Sequence, residues 1–322
     1  MAIRVLLPQP ILPEGYDYLR SHGFEVVDGR GFTEEDIIAD IKDCDAMIVR
    51  TAKITAKILD AAPRLKILAR HGAGYDGVDL EAAKRHGVLV CTAGGANSIS
   101  VAEVAIFYML YCARSFKKVQ LHYLEDYRFA KMGIPKTELE GKTLGLVGIG
   151  NIGKLVAKKA ALGFDMKVLA YDPFARGDLP EYIQMVEQRD TIFKESDYVS
   201  IHVPATKETI HSISDHEFSL MKPTAYLINT ARGSIVDEPA LIHALEAGKI
   251  AGAGLDVMEQ EPIDPSNPLV TMENVLTAPH IGGATKEAST RSSIACAEAI
   301  GDFFAGRTPK FVVPELRSLL KH

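Results

Sequence analysis

Short apolar runs alternate with amphipathic stretches along the chain. Ile3–Leu7 is followed by helical periodicity over Pro13–Ser21, Ala46–Val49 by Thr55–Ala62, and Leu65–Ala69 by Leu80–His86, with Val88–Cys91 closing the series. That rhythm predicts βαβ units around a parallel sheet. A second series starts at Thr143–Val147 and continues through Lys167–Tyr171, Tyr198–Val203, Ala225–Asn229, Ala253–Asp256 and Val275–Thr277. Helical stretches such as Ile152–Ala161 and Glu238–Ala247 separate these runs, so a second sheet is expected. Between the two series, Ser98–Phe116 is apolar enough for a buried helix that links two domains or forms a subunit interface; a polar, aromatic-rich segment follows to Glu140. After Pro279 come a helical stretch, Lys286–Phe304, and a strand-like Lys310–Val313, a tail expected to return to the first domain. A length of 322 residues suits two domains of ordinary size.

Composition changes this picture little. Hydrophobic residues at 47% and charged residues at 24% match folded globular proteins, which leaves no reason to expect a disordered region. A net charge of −6 argues against a nucleic-acid partner. The N-terminus enters its first strand at once, without the apolar length of a signal peptide or membrane span, so a soluble cytoplasmic protein is expected. Cys44, Cys91, Cys112 and Cys296 are scattered, which suits reduced, buried thiols. The histidines show no HxH or HExxH spacing, and no metal is expected.

The clearest local signal is Thr143-Leu-Gly-Leu-Val-Gly148-Ile-Gly150-Asn-Ile-Gly153, a strand entering a glycine-rich turn and then a helix. Gly148 allows the tight turn, Gly150 lets the backbone approach a pyrophosphate, and Gly153 permits close helix–strand packing. The phosphates would meet the free N–H groups at the helix N-terminus. About 19 residues beyond Gly153 the next strand ends at Asp172, whose carboxylate can accept both adenosine ribose hydroxyls and would repel a 2′-phosphate. NAD is therefore the expected cofactor.

Three further segments put polar residues at strand ends, where open parallel sheets form their clefts. In Ile228-Asn-Thr-Ala-Arg232-Gly-Ser-Ile-Val-Asp237, a guanidinium follows a buried strand and can hold a carboxylate through two parallel hydrogen bonds. Ala253-Gly-Leu-Asp256-Val-Met-Glu-Gln-Glu261-Pro262 supplies carboxylates, and Ala278-Pro-His280-Ile-Gly-Gly-Ala-Thr285 supplies an imidazole that can pass a proton to a carbonyl oxygen as hydride arrives. Glu261 is the candidate to orient His280.

Gly148-Ile-Gly-Asn-Ile-Gly153, Asn229-Thr-Ala-Arg-Gly233, Gly254-Leu-Asp-Val257 with Glu261-Pro262, and Pro279-His-Ile-Gly-Gly283 together resemble the signatures of the D-isomer-specific 2-hydroxyacid dehydrogenases, in order and spacing, over nearly the whole chain. The resemblance implies an α/β fold of two Rossmann-like domains. The NAD domain, residues 99–286, would be inserted into a flavodoxin-like substrate domain made of residues 1–98 and 287–322. It implies that Arg232 binds and polarises the substrate, that His280 is the acid/base and that Glu261 pairs with it. Asp256 would lie near the nicotinamide carboxamide and Thr206 near the cofactor, with Asn151, Ile152, Ala231 and Gly282 in the same site. A homodimer through the helix from Ser98 is also implied.

The loop Arg70-His-Gly72-Ala73-Gly74-Tyr75 resembles the family's substrate loop, which places Ala73, Gly74 and Tyr75 at the substrate, and Asn97 matches a hinge position near substrate and cofactor. The first half is most similar to the 3-phosphoglycerate dehydrogenases, in which an arginine matching Arg50 faces the substrate phosphate. Tyr75 and His71 depart from that branch, so 3-phosphoglycerate and hydroxypyruvate or glyoxylate both stay open as substrates. The tail leaves no room for the regulatory domains of longer relatives, and serine feedback is not expected. Glu261 argues against formate dehydrogenase, which carries Gln there. The alternative from another class is an NAD(H)-sensing transcriptional corepressor, which shares fold and site residues but usually adds peptide-binding segments.

Overall fold

Strands whose residues are apolar at every position need cover on both faces, and helices supply it in parallel sheets. The computed structural model, which describes residues 2–320, has this build twice. Contacts within the chain divide it into two compact units, Met1–Asn97 with Ala284–His322, and Ser98–Gly283.

In the first unit β1 (Arg4–Leu7), β2 (Glu25–Asp28), β3 (Ala46–Val49), β4 (Ile67–Arg70) and β5 (Leu89–Thr92) form one parallel sheet in the order β2-β1-β3-β4-β5. β3 and β5 are buried at every residue, whereas β2 lies on the edge with Glu25 and Asp28 exposed. Those charged ends hide β2 from a reading of apolar runs. The helix Lys286–Phe304 belongs here: Thr285 caps it by accepting the Ala288 N–H at 3.1 Å, and it buries Cys296, Ala297 and Ile300 in this unit's core. Lys310–Val313 is not a strand. Only one antiparallel bridge forms, between Val312 and Cys91, before a 3-10 turn over Pro314–Leu319. Pro309 and Pro314 flank the segment and have no N–H for a ladder.

The second unit holds β6 (Thr143–Val147), β7 (Lys167–Tyr171), β8 (Ile183–Met185), β9 (Tyr198–Ile201), β10 (Tyr226–Asn229), β11 (Gly252–Leu255) and β12 (Val275–Thr277). All are parallel, in the order β12-β11-β10-β9-β6-β7-β8. Connections run one way from β6 and the other way from β9, and the crevice beyond the strand ends at such a reversal is where open sheets bind ligands. The expected helix Ser98–Phe116 stops at Ala113, because Ser115 adopts a left-handed φ of 47° and a separate helix runs over Phe116–His122. Among the described residues no single helix is long and apolar enough to cross a membrane. The pair Ser98–Ala113 and Phe116–His122, bent by 52°, passes on length and composition, but ten of the sixteen residues of the first are buried, most of them in the unit's core. All four cysteines are free and buried.

Candidate active site

β6 delivers the chain into the glycine turn. Gly148 has φ 96°, and a Cβ there would lie 2.7 Å from the His202 carbonyl oxygen on β9's continuation, so only glycine fits. A Cβ on Gly153 would collide with the Gly148 carbonyl, which lets the helix Asn151–Phe164 start hard against the turn. Gly150 is its N-cap and supplies no side-chain cap, while nothing lies within 4 Å of where its own Cβ would be. The first-turn N–H groups, at Asn151, Ile152 and Gly153, therefore face an open position suited to an anion. Asp172, after β7, is held at the same turn: Oδ2 accepts the Ile149 N–H at 3.0 Å and Oδ1 the Phe174 N–H at 2.8 Å. Two backbone bonds fix the carboxylate and leave lone pairs for hydroxyl donors.

The ends of β9 and β10 carry an unmet polar requirement. The ladder pairs Ile201 with Asn229, so His202 and Thr230 come next on neighbouring strands. His202 Nδ1 and Thr230 Oγ1 are both buried without a partner, and burial pushes the imidazole down to about 3, which keeps it neutral. Buried polar atoms left this way call for a bound group or water. Their place at the strand ends fits a dinucleotide. Thr206 lies beyond Pro204 in an exposed turn that Thr209 Oγ1 closes onto the Thr206 N–H and the Pro204 carbonyl, both at 2.7 Å. Ala231 is fixed by its N–H bond to Asn229 Oδ1 at 3.0 Å.

Three loops then meet at the ends of β10, β11 and β12. Asn229 Nδ2 donates to the Arg232 carbonyl at 2.9 Å, and Arg232 Nη1 to the Ala231 carbonyl at 2.7 Å. Gly233 lies against Met258, where any Cβ would collide with the Met258 carbonyl. The Met258 N–H donates to Glu261 Oε1 at 3.2 Å, and Glu261 Oε2 stands 3.0 Å from His280 Nδ1. Close packing and short bonds thus connect Arg232, Glu261 and His280, with both members of the His–Glu pair partly open to solvent. Asp256, by contrast, is 2% exposed and faces the His280 loop: Oδ1 accepts the Ile281 N–H at 3.0 Å and Oδ2 the Gly282 N–H at 2.8 Å. A second His–Glu pair escaped the sequence reading. His211 Nε2 lies 2.6 Å from Glu259 Oε1, and the His211 N–H donates to the Ser234 carbonyl at 2.9 Å. No motif marks His211, since its partner is 48 residues away.

In the first unit, β4 ends at Arg70, whose guanidinium folds over Gly72 and donates to the His71 carbonyl. His71 is buried, with Nε2 2.9 Å from Ser293 Oγ. Burial, helped by the Arg50 charge, pushes the imidazole down to about 4. Arg50 Nη1 donates to the Pro10 carbonyl at 2.9 Å. Tyr75 turns toward the tail, its hydroxyl 3.4 Å from Glu315 Oε1 and its ring on the unit's core, so Ala73 and Gly74 present backbone beside it. Asn97 ends the unit with Oδ1 buried and unpartnered. Among the described residues no group of three or more His, Cys, Asp or Glu side chains is placed to hold a metal ion.

Residues 106–282 match the model of the D-isomer specific 2-hydroxyacid dehydrogenase, NAD binding domain. The chain belongs to this family. Within it, the chain is 40% identical over 306 residues to a D-3-phosphoglycerate dehydrogenase of Archaeoglobus fulgidus, covering 94% of this chain and 58% of the relative. It is 41% identical over 302 residues to a hydroxypyruvate reductase of Thermotoga maritima, covering 92% and 97%. A solved NADPH-dependent glyoxylate/hydroxypyruvate reductase of Sinorhizobium meliloti superposes with a TM-score of 0.86 at 30% identity, covering 98% of this chain and 99% of the other. The chain spans about three fifths of the length of the phosphoglycerate dehydrogenases it matches. As a family member it has the NAD-binding domain in its second unit, where the glycine turn and Asp172 lie.

Proposed function

We propose that this chain is an NAD-dependent D-2-hydroxyacid dehydrogenase that moves a hydride between nicotinamide C4 and C2 of a small 2-hydroxy or 2-oxo acid. The observation that carries the reading is the His280–Glu261 pair at 3.0 Å beside the Arg232 loop, on the same strand ends as the glycine turn. In this reading the glycine turn and first helical N–H groups hold the pyrophosphate, and Asp172 takes the ribose hydroxyls. Thr206, Ala231, Gly282 and the orphaned atoms of His202 and Thr230 border the rest of the cofactor. NADH, when bound, supplies the hydride. Arg232 grips the acid's carboxylate and draws electron density from its carbonyl. His280 gives the carbonyl oxygen a proton from Nε2 during reduction and accepts it in the reverse direction. Glu261 holds the Nδ1 side, which fixes the tautomer and steadies the imidazolium. In the first unit Arg50 would serve a phosphorylated substrate, and the backbone at Ala73, Gly74 and Tyr75 would bind the acid, with Asn97 close by.

The same reading includes a homodimer. What supports this is the arm after the helix Ser98–Ala113, where Leu121, Leu124, Tyr127 and Met132 are all exposed, Leu124 by 80% and Met132 by 76%. The reading is tested by following NADH consumption against hydroxypyruvate, glyoxylate, 3-phosphohydroxypyruvate, pyruvate and branched 2-oxo acids, repeated with NADPH. Turnover of one small acid with preference for NADH is the expected result. Selection of the phosphorylated acid would assign Arg50 to its phosphate. Tight NADH binding without turnover on any acid would favour the cofactor-sensing corepressor instead.

A further inference from the structure

His280 has a left-handed backbone, φ 56°, which costs a non-glycine residue free energy unless its surroundings impose it. The backbone bonds that hold it there lead to one residue, Asp256. Its carbonyl accepts the His280 N–H at 2.8 Å, and its carboxylate accepts the next two N–H groups, Ile281 and Gly282. Three consecutive amides of the loop thus end on a single aspartate at the end of β11. That carboxylate is buried, and a buried anion needs donors on every side. The remaining donor comes from the apolar helix Ser98–Ala113: Tyr108 is 2% exposed, and its hydroxyl points at Asp256 Oδ1 across 3.4 Å. Burial, with the Asp256 charge beside it, pushes the Tyr108 hydroxyl up, so it stays protonated and able to donate. The ring reaches this place because Gly254, two residues before Asp256, leaves room for it; a Cβ there would lie 2.7 Å from the Tyr108 Cβ.

We propose that Tyr108 and Asp256 form a positioning pair, in which Tyr108 holds the Asp256 carboxylate in register to clamp the His280 loop, and that Tyr108 therefore sets the alignment of the acid/base without touching substrate or cofactor. This gives Asp256 a task beyond the nicotinamide neighbourhood expected of it and gives the helix's buried hydroxyl a purpose. The proposal rests on the dehydrogenase reading for its effect on turnover, but not for its effect on the loop.

The test is Tyr108→Phe, which keeps the ring and removes the hydroxyl. Amide hydrogen exchange at Ile281 and Gly282 should speed up by about tenfold, the worth of one hydrogen bond to a charged group, while exchange in β6 and β10 is unchanged. With a substrate found for the wild type, kcat should fall by about tenfold and the NADH dissociation constant should stay within about twofold, since the hydroxyl acts on alignment and not on cofactor binding. Asp256→Asn should reproduce both effects more strongly, and the double variant should be no worse than Asp256→Asn alone. It also serves if Tyr108→Phe fails to fold. Unchanged loop exchange in a folded Tyr108→Phe protein overturns the proposal, as does full additivity of the two substitutions. Faster loop exchange in a protein whose wild type turns over no acid would uphold the clamp and reject the dehydrogenase reading.

Discussion

In the first unit the Arg4 N–H, where β1 begins, donates to Asp45 Oδ2 at 2.9 Å; in the second the Thr143 N–H, where β6 begins, donates to Asp197 Oδ2 at the same distance. Each aspartate precedes the strand that pairs beside the first one, β3 or β9, and each is backed by a cation, Arg64 at 2.8 Å or Lys222 at 2.9 Å. Two parallel sheets are thus started by one device, and they part at the turn that follows. After β6 comes Gly148-Ile-Gly-Asn-Ile-Gly153; after β1 comes Pro8-Gln-Pro10-Ile-Leu-Pro13, three prolines in six residues. A proline has no N–H to offer a phosphate, and its ring blocks the backbone approach that glycine permits. The lesson is that nucleotide binding resides in the first turn and not in the sheet.

The sharpest way to test where chemistry resides is His280→Ala. Turnover should fall by about two to four orders of magnitude with NADH affinity largely kept. An active variant would remove the second unit's strand ends from the reaction, and His211→Gln, which disrupts the neighbouring pair with Glu259, serves as the control expected to retain activity. Next in size is Gly148→Ala. The added methyl meets the His202 carbonyl, so NADH binding, followed by the cofactor's own fluorescence, should weaken by about a hundredfold or more. Calorimetry on the wild type should find one NADH per chain, and a second site would break the comparison outright.

A smaller effect tests the shared device. Asp45→Ala and Asp197→Ala each orphan a strand-initial N–H and a partly buried cation, so chemical denaturation should show losses of about 2–3 kcal/mol in either case. A large loss in one and none in the other would mean that the likeness is only geometric. An effect of similar size separates the units by pH. His71 goes from an ordinary 6.5 to about 4 on folding, so between those values the unfolded chain binds a proton that the folded chain excludes. Stability is intact above pH 6.5, falls as pH drops through the window, and stops changing on this account below about 4, with a total of about 3 kcal/mol. Replacing His71 with Asn should flatten that slope for the first unit, and an unchanged slope would show that His71 is not buried as described.

Much of this was legible in the sequence, and for a physical reason. Strands covered on both faces read as apolar runs, as β3 does at every residue and β9 and β10 do apart from Ser200 and Asn229; the glycine turn is marked by its spacing, and the Arg, Glu and His at strand ends stand out only in combination with it. The edge strands β2 and β8 escaped notice because water reaches them: β2 ends in Glu25 and Asp28, and β8 is three residues with Gln184 and Met185 exposed. The helix stop at Ala113 depends on the backbone angle of Ser115, which its residue type does not specify. Asp256 was read as a cofactor neighbour because a side chain's bonds to backbone amides leave no trace in the pattern of residue types. The same is true of the His211–Glu259 contact, made between loops that are distant in sequence.

The division of the chain carries a consequence for how the protein is made. The second unit is one continuous stretch, Ser98–Gly283, whereas the first is split, and its core stays incomplete until Cys296, Ala297 and Ile300 of the helix Lys286–Phe304 arrive. On a ribosome adding roughly 5–20 residues each second, the inner unit emerges whole while the outer one still lacks a wall. The unit whose strands are made first must therefore close after the other, with β1 and the strands beside it waiting, partly uncovered, until that helix has been made.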